Sequence, residues 1–69
     1  IMIKEAIELD ENNRVVDLHF WTLGPGVFSA IVSIVTHDPQ QPEYYKQLIQ
    51  NQVQLHHLSI EVHDYKDIQ

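Results

Sequence analysis

The chain predicts an α+β domain of order α-β-β-α-β, with two helices on one face of a three-stranded sheet. Three observations carry that prediction. Two stretches place apolar residues at helical spacing, Ile3/Ala6/Ile7 and Tyr45/Leu48/Ile49. Three others alternate apolar and polar residues, as half-buried strands do. Turn-forming clusters separate them: Asp10-Glu11-Asn12-Asn13, Gly24-Pro25-Gly26 and Asp38-Pro39-Gln40-Gln41-Pro42.

The elements follow in order. Residues 2–10 predict a short helix, with Lys4, Glu5 and Glu8 toward water. Residues 14–23 predict the first strand, with Val16, Leu18 and Phe20 inward and Asp17, His19 and Trp21 on the opposite face. Gly24-Pro25-Gly26 suits a hairpin link to a second strand, residues 27–37. There Phe28, Ala30, Val32 and Ile34 share one face, and Ser29, Ile31, Ser33 and Val35 the other. Pro42 fits the first turn of a helix over 42–53, because its missing N–H costs nothing there. Gln47, Gln50, Asn51 and Gln54 lie on its solvated side. Residues 57–63 alternate again, with Leu58, Ile60 and Val62 inward and Ser59, Glu61 and His63 outward. Each strand has one strongly apolar face, so the economical packing lays both helices on the same side of the sheet.

Sixty-nine residues make at most one domain, here taken as 1–69. A chain of this size buries only about 60% of its unfolded surface, so help from a partner subunit, a metal or a flanking domain is expected. Ile1-Met2-Ile3 opens straight into a helical pattern, which reads as a domain cut from a longer protein. Four basic residues face ten acidic ones, for a formal charge of −6. Such a surface repels phosphate backbones, so nucleic-acid binding is not expected, and it attracts divalent cations. With no cysteine, disulfides and thiolate zinc sites are excluded. There is no nucleophile elbow and no glycine-rich phosphate cradle, since no helix follows Gly24-Pro25-Gly26. The chain is therefore not expected to be an enzyme.

The chemistry-bearing residues form two pairs. Asp17 and His19 stand two residues apart on one strand face, roughly 6.5 Å along the backbone. Glu61 and His63 repeat the arrangement near the C-terminus. Imidazole and carboxylate together suit zinc in tetrahedral geometry, or cobalt and nickel with added waters. Ligation needs neutral imidazole, so affinity falls as pH drops below about 6.5.

The stretch Asp17-Leu18-His19-Phe20-Trp21-Thr22-Leu23-Gly24-Pro25-Gly26 resembles the first strand and turn of the cytoplasmic C-terminal domain of cation diffusion facilitator (cation efflux) transporters. Ser33-Ile34-Val35-Thr36-His37-Asp38-Pro39 and His57-Leu58-Ser59-Ile60-Glu61-Val62-His63 fit the same family, and look like its cobalt/nickel-type branch. The resemblance implies a ferredoxin-like, metallochaperone-like fold. It implies a V-shaped homodimer beneath the transmembrane domain of the same chain, in the cytoplasm, with the whole protein in the inner or plasma membrane. It further implies that a divalent ion (Zn, Co or Ni) bound at or near the dimer interface biases transport. By the resemblance His57 and His63 match family ligands. Ile31 stands where many relatives have histidine, and Tyr65 where some have an acidic or polar ligand; the nearest carboxylates are Asp64 and Asp67.

The candidate metal ligands are thus His19, His57 and His63 with Asp17 or Glu61, and His37 as a peripheral site beside Asp38. A plain structural reading stands beside each. A strand histidine can bond backbone, Asp17 can accept a backbone N–H, Glu61 can be solvated, and Asp38 can stabilise a turn. His56 faces the other way. Trp21, Ile31 and Val35 on the helix-free face suggest a partner surface. Two other readings remain: a purely structural dimerisation module, and a small-molecule regulatory domain, which would need a pocket that no sequence feature announces.

Overall fold

The computed structural model describes residues 2–68, and for Met2 the backbone alone. Ile1, Met2 and Gln69, at the ends of the expected 1–69 domain, fall in part or wholly outside that description.

Helix α1 (Met2–Glu8) buries Ile3, Ala6 and Ile7 and exposes Lys4 and Glu5. It stops two residues short of the predicted bound because Asp10 offers the backbone an alternative to helix. Its carboxylate accepts the Asn12 N–H at 2.9 Å, and its carbonyl accepts the Asn13 N–H at 3.0 Å. Buried Asn13 then donates its side-chain amide to the Ile7 carbonyl at 3.2 Å, one of the acceptors the helix end leaves open. Glu8, expected to face water, is half-buried and accepts the Val15 N–H.

Strands β1 (Asn13–Gly24), β2 (Val27–Thr36) and β3 (His57–Asp64) form a mixed sheet of order β1-β2-β3. β1 runs antiparallel and β3 parallel to the central β2. Pro25 and Gly26 make the two-residue link, with Gly26 at φ 72°, the left-handed conformation that a Pro-Gly type II turn requires.

The register of β1 overturns part of its expected face assignment. A bulge sets Val15 opposite Ile34 and Asp17 opposite Ser33, leaving Val16 as the extra residue. Val15 takes the inward place expected of Val16 and packs against the core, while Val16 is 54% exposed on the helix-free side. After the bulge the alternation resumes as predicted, with Leu18 inward and Asp17, His19 and Trp21 outward. Phe20 was expected to be buried and is 46% exposed. Its ring stacks on Phe28 at 5.6 Å between centroids.

Helix α2 (Pro42–Gln50) starts at Pro42 as predicted and buries Tyr45 and Ile49, with Leu48 half-buried. It ends three residues early. Gln50, expected to be solvated, turns back instead: its amide accepts the Leu55 N–H at 3.0 Å and donates to the Leu55 carbonyl at 3.2 Å. Tyr45 keeps its ring in the core while its hydroxyl accepts the Gln40 N–H at 3.0 Å, which ties down the β2–α2 connection.

Ile3 and Ile7 of α1, Tyr45 and Ile49 of α2, and Ala30, Val32 and Ile34 of β2 form one buried cluster. Leu58, Ile60 and Val62 of β3 pack against it half-buried, as expected. Both helices therefore cover the same sheet face, and the architecture is a small α+β domain with a mixed three-stranded sheet. One element lies beyond the sequence prediction: a 3₁₀ turn, Tyr65–Ile68, follows β3. Among the described residues no helix is long and apolar enough to cross a membrane.

Candidate functional site

Strand alternation places Asp17, His19, Ser29, Ser33, Ser59, Glu61 and His63 on the uncovered face. Across the sheet the register forms rows: Trp21, Ser29 and His57; then His19, Ile31 and Ser59; then Asp17, Ser33 and Glu61; then Arg14, Val35 and His63. Ile31, Ser33 and Val35, on the central strand, are half-buried even without a covering layer.

Both expected pairs exist. His19 Nε2 lies 3.2 Å from the Asp17 carboxylate, and His63 Nε2 lies 3.6 Å from the Glu61 carboxylate. Two ligands at ordinary zinc bond lengths in a tetrahedron sit about 3.4 Å apart. Each pair therefore has the separation of one tetrahedron edge. The same spacing also suits a direct contact between imidazole and carboxylate. The four side chains are largely solvent-exposed, so that contact contributes little to stability. Ser33 donates its hydroxyl to Glu61 at 3.4 Å and orients that carboxylate from the neighbouring strand.

The two pairs do not share one centre. β2 lies between β1 and β3, so their backbones are roughly 9.6 Å apart. Among the described residues no three His, Asp or Glu side chains gather into one ligand set. Each pair offers two donor groups, fewer than the four a zinc ion takes.

The remaining candidates are separate from the pairs. His57 is exposed at the start of β3, opposite Ser29. The Ser29 hydroxyl is buried and is the one buried side-chain polar atom without a partner among the described residues. His37 lies past the end of β2, donating its backbone N–H to the Asn12 carbonyl at 3.1 Å. Its ring packs on Tyr65 at 4.2 Å between centroids. The adjacent turn is held through the backbone, with the Asp38 N–H donating to Thr36 Oγ1 at 3.1 Å.

Sequence reasoning missed a cavity of about 320 Å³ at this end of the uncovered face. Val16 and Val35 line it together with Tyr65 and Ile68 of the terminal 3₁₀ turn. The signals that could have found it were the bulge at Val16 and the fold-back after β3, and both depend on contacts distant in sequence. Comparison with family models, with curated proteins and with solved structures found no match to this chain.

Proposed function

We propose that this chain is a metal-responsive regulatory domain, the cytoplasmic part of a divalent-cation efflux transporter, with a ferredoxin-like, metallochaperone-like fold. In this reading two copies meet through their uncovered sheet faces. A carboxylate–imidazole pair from each copy completes a four-ligand site for a zinc-, cobalt- or nickel-type ion. The observation that carries the reading is the pair geometry: two nitrogen–oxygen pairs, 3.2 and 3.6 Å apart, on one face that also presents Trp21, Ile31 and Val35. Half a coordination shell per pair accounts for the lack of a three-ligand set within one described chain.

The route from ion to regulation is linkage. An ion held only by the paired arrangement stabilises it by RT ln(1 + [L]/Kd), about 2.7 kcal/mol at a hundredfold excess over Kd. That difference shifts the population toward the paired state and, in a longer protein, biases whatever is attached. Calorimetric titration with Zn²⁺, Co²⁺ and Ni²⁺, followed by sedimentation with and without the ion, tests this. The expected result is saturable heat, lost in the double variant H19A/H63A, together with ion-dependent dimer formation. Heat indistinguishable from that variant would overturn the reading.

A second reading is a structural dimerisation module. It is favoured by the apolar content of the uncovered face, where Trp21 and Val16 are exposed. It expects the same dimer by scattering with and without chelator.

A further inference from the structure

We propose that the cavity beneath the terminal 3₁₀ turn binds a free α-amino acid with an apolar side chain. The inference does not rest on the metal-responsive reading; it shares with it the uncovered-face residue Val35, and His37, which serves here as packing.

The cavity lining combines apolar and charged side chains. Val16, carried to this face by the β1 bulge, Val35 on the adjacent strand and Ile68 of the 3₁₀ turn make up its apolar share. Val16 is 54% exposed and Ile68 57% exposed. A ligand that covered these side chains would remove apolar surface from water, at roughly 25 cal/mol per Å². Tyr65 adds an aromatic side chain to the lining, its ring tilted 38° against that of His37. A volume of about 320 Å³ suits a small organic molecule.

The lining also carries one cation and one carboxylate, Arg14 at the start of β1 and Glu11 in the turn before it. No ion pair joins them, and the Arg14 guanidinium has no partner among the described residues. The Asn12 side-chain amide is likewise without a partner, while its backbone N–H and C=O are already bonded to Asp10 and His37. A guanidinium fork receives a carboxylate through paired N–H bonds. Glu11 beside it disfavours a simple anion, but an adjacent ammonium group on the ligand turns that repulsion into attraction. A cation and a carboxylate beside an apolar lining describe the groups of a zwitterionic amino acid with a branched or aromatic side chain. A metal ion is a poorer match, because Glu11 and His37 are the only lining residues that commonly ligate one. A phosphorylated ligand is poorer still, with a single cationic side chain in a chain of charge −6.

The test is a titration followed by ¹⁵N-resolved NMR, with L-leucine, L-phenylalanine, glycine and isocaproate added separately to the chain in the presence of EDTA. The chelator prevents metal–amino acid complexes from contributing, so failure here leaves the metal-responsive reading untouched. The expected result is saturable shifts with leucine or phenylalanine, centred on Arg14, Val35, His37 and Tyr65. Glycine lacks the apolar body and isocaproate the ammonium, so both bind at least about tenfold more weakly. R14M weakens leucine binding by at least about tenfold, and its spectrum reports whether the fold is kept. Should R14M not fold, E11Q provides the second variant, with leucine binding weakened and isocaproate binding strengthened. No saturable shift up to about 10 mM, shifts centred elsewhere, or isocaproate binding as tightly as leucine would overturn the proposal.

Discussion

The carboxylate of Glu8 accepts the backbone N–H of Val15 at 2.9 Å, joining the last turn of α1 to the edge strand just before its bulge. An edge strand leaves N–H groups unpaired where no neighbouring strand follows. At Val15 a helix side chain fills that vacancy, and the bulge begins one residue later.

Removing this acceptor is expected to loosen the strand. Glu8→Ala leaves the half-buried Val15 N–H without its partner, at a cost of about 1–2 kcal/mol. Glu8→Gln keeps an oxygen acceptor and costs less. Urea denaturation of the two variants checks the order; equal losses would mean that the bond contributes nothing beyond packing.

The bulge makes an opposite pair of predictions for two adjacent valines. Val15→Thr puts a hydroxyl against the core and is expected to cost about 1–2 kcal/mol. Val16→Thr faces the uncovered side and is expected to stay within about 0.5 kcal/mol of the parent chain. Strict alternation from the sequence predicts the reverse order, so one pair of melting curves decides between the two registers.

Tyr45 combines a buried ring with a bonded hydroxyl. Tyr45→Phe retains the ring and deletes the acceptor for the Gln40 N–H, with an expected loss of about 1 kcal/mol. Hydrogen exchange at Gln40 should speed up while exchange in β2 keeps pace with the global change. Unaltered exchange at Gln40 would show that the connection is held by other contacts.

Gln50→Ala removes both amide bonds to the Leu55 backbone and is expected to cost about 1–2 kcal/mol. Gln50→Glu keeps the acceptor for the N–H but sets a carboxylate against the Leu55 carbonyl, so it should fall no closer to the parent than halfway. Denaturation midpoints of the two variants provide the check. A Gln50→Glu chain as stable as the parent would place the bond's value in the N–H contact alone.

If the carboxylate–imidazole pairs hold an ion, apparent affinity weakens as pH falls, because only neutral imidazole ligates and binding releases protons. Titration heats in buffers of different ionisation enthalpy should reveal that proton release. Heats independent of both pH and buffer would point to carboxylate ligation without histidine.

The element order, the two amphipathic helices and the inward faces of β2 and β3 were legible in the sequence. Helical and strand periodicities are properties of neighbouring residues, and burial on one face follows from them directly. The pairing of Asp17 with His19 and of Glu61 with His63 was legible for the same reason, since each pair lies two residues apart on one strand. What lay outside local pattern was decided by contacts between distant residues. The bulge that exchanges Val15 for Val16 depends on how β1 meets β2, and an alternating sequence does not mark where an extra residue enters. The early end of α2 depends on Gln50 reaching Leu55. The separation of the two carboxylate–imidazole pairs depends on β2 lying between β1 and β3, a strand order that no single strand encodes. The cavity exists because residues 65–68 fold back beside Val16 and Val35, far from them in the chain. Local periodicity thus determined which side chains face together, and tertiary packing determined how close they come.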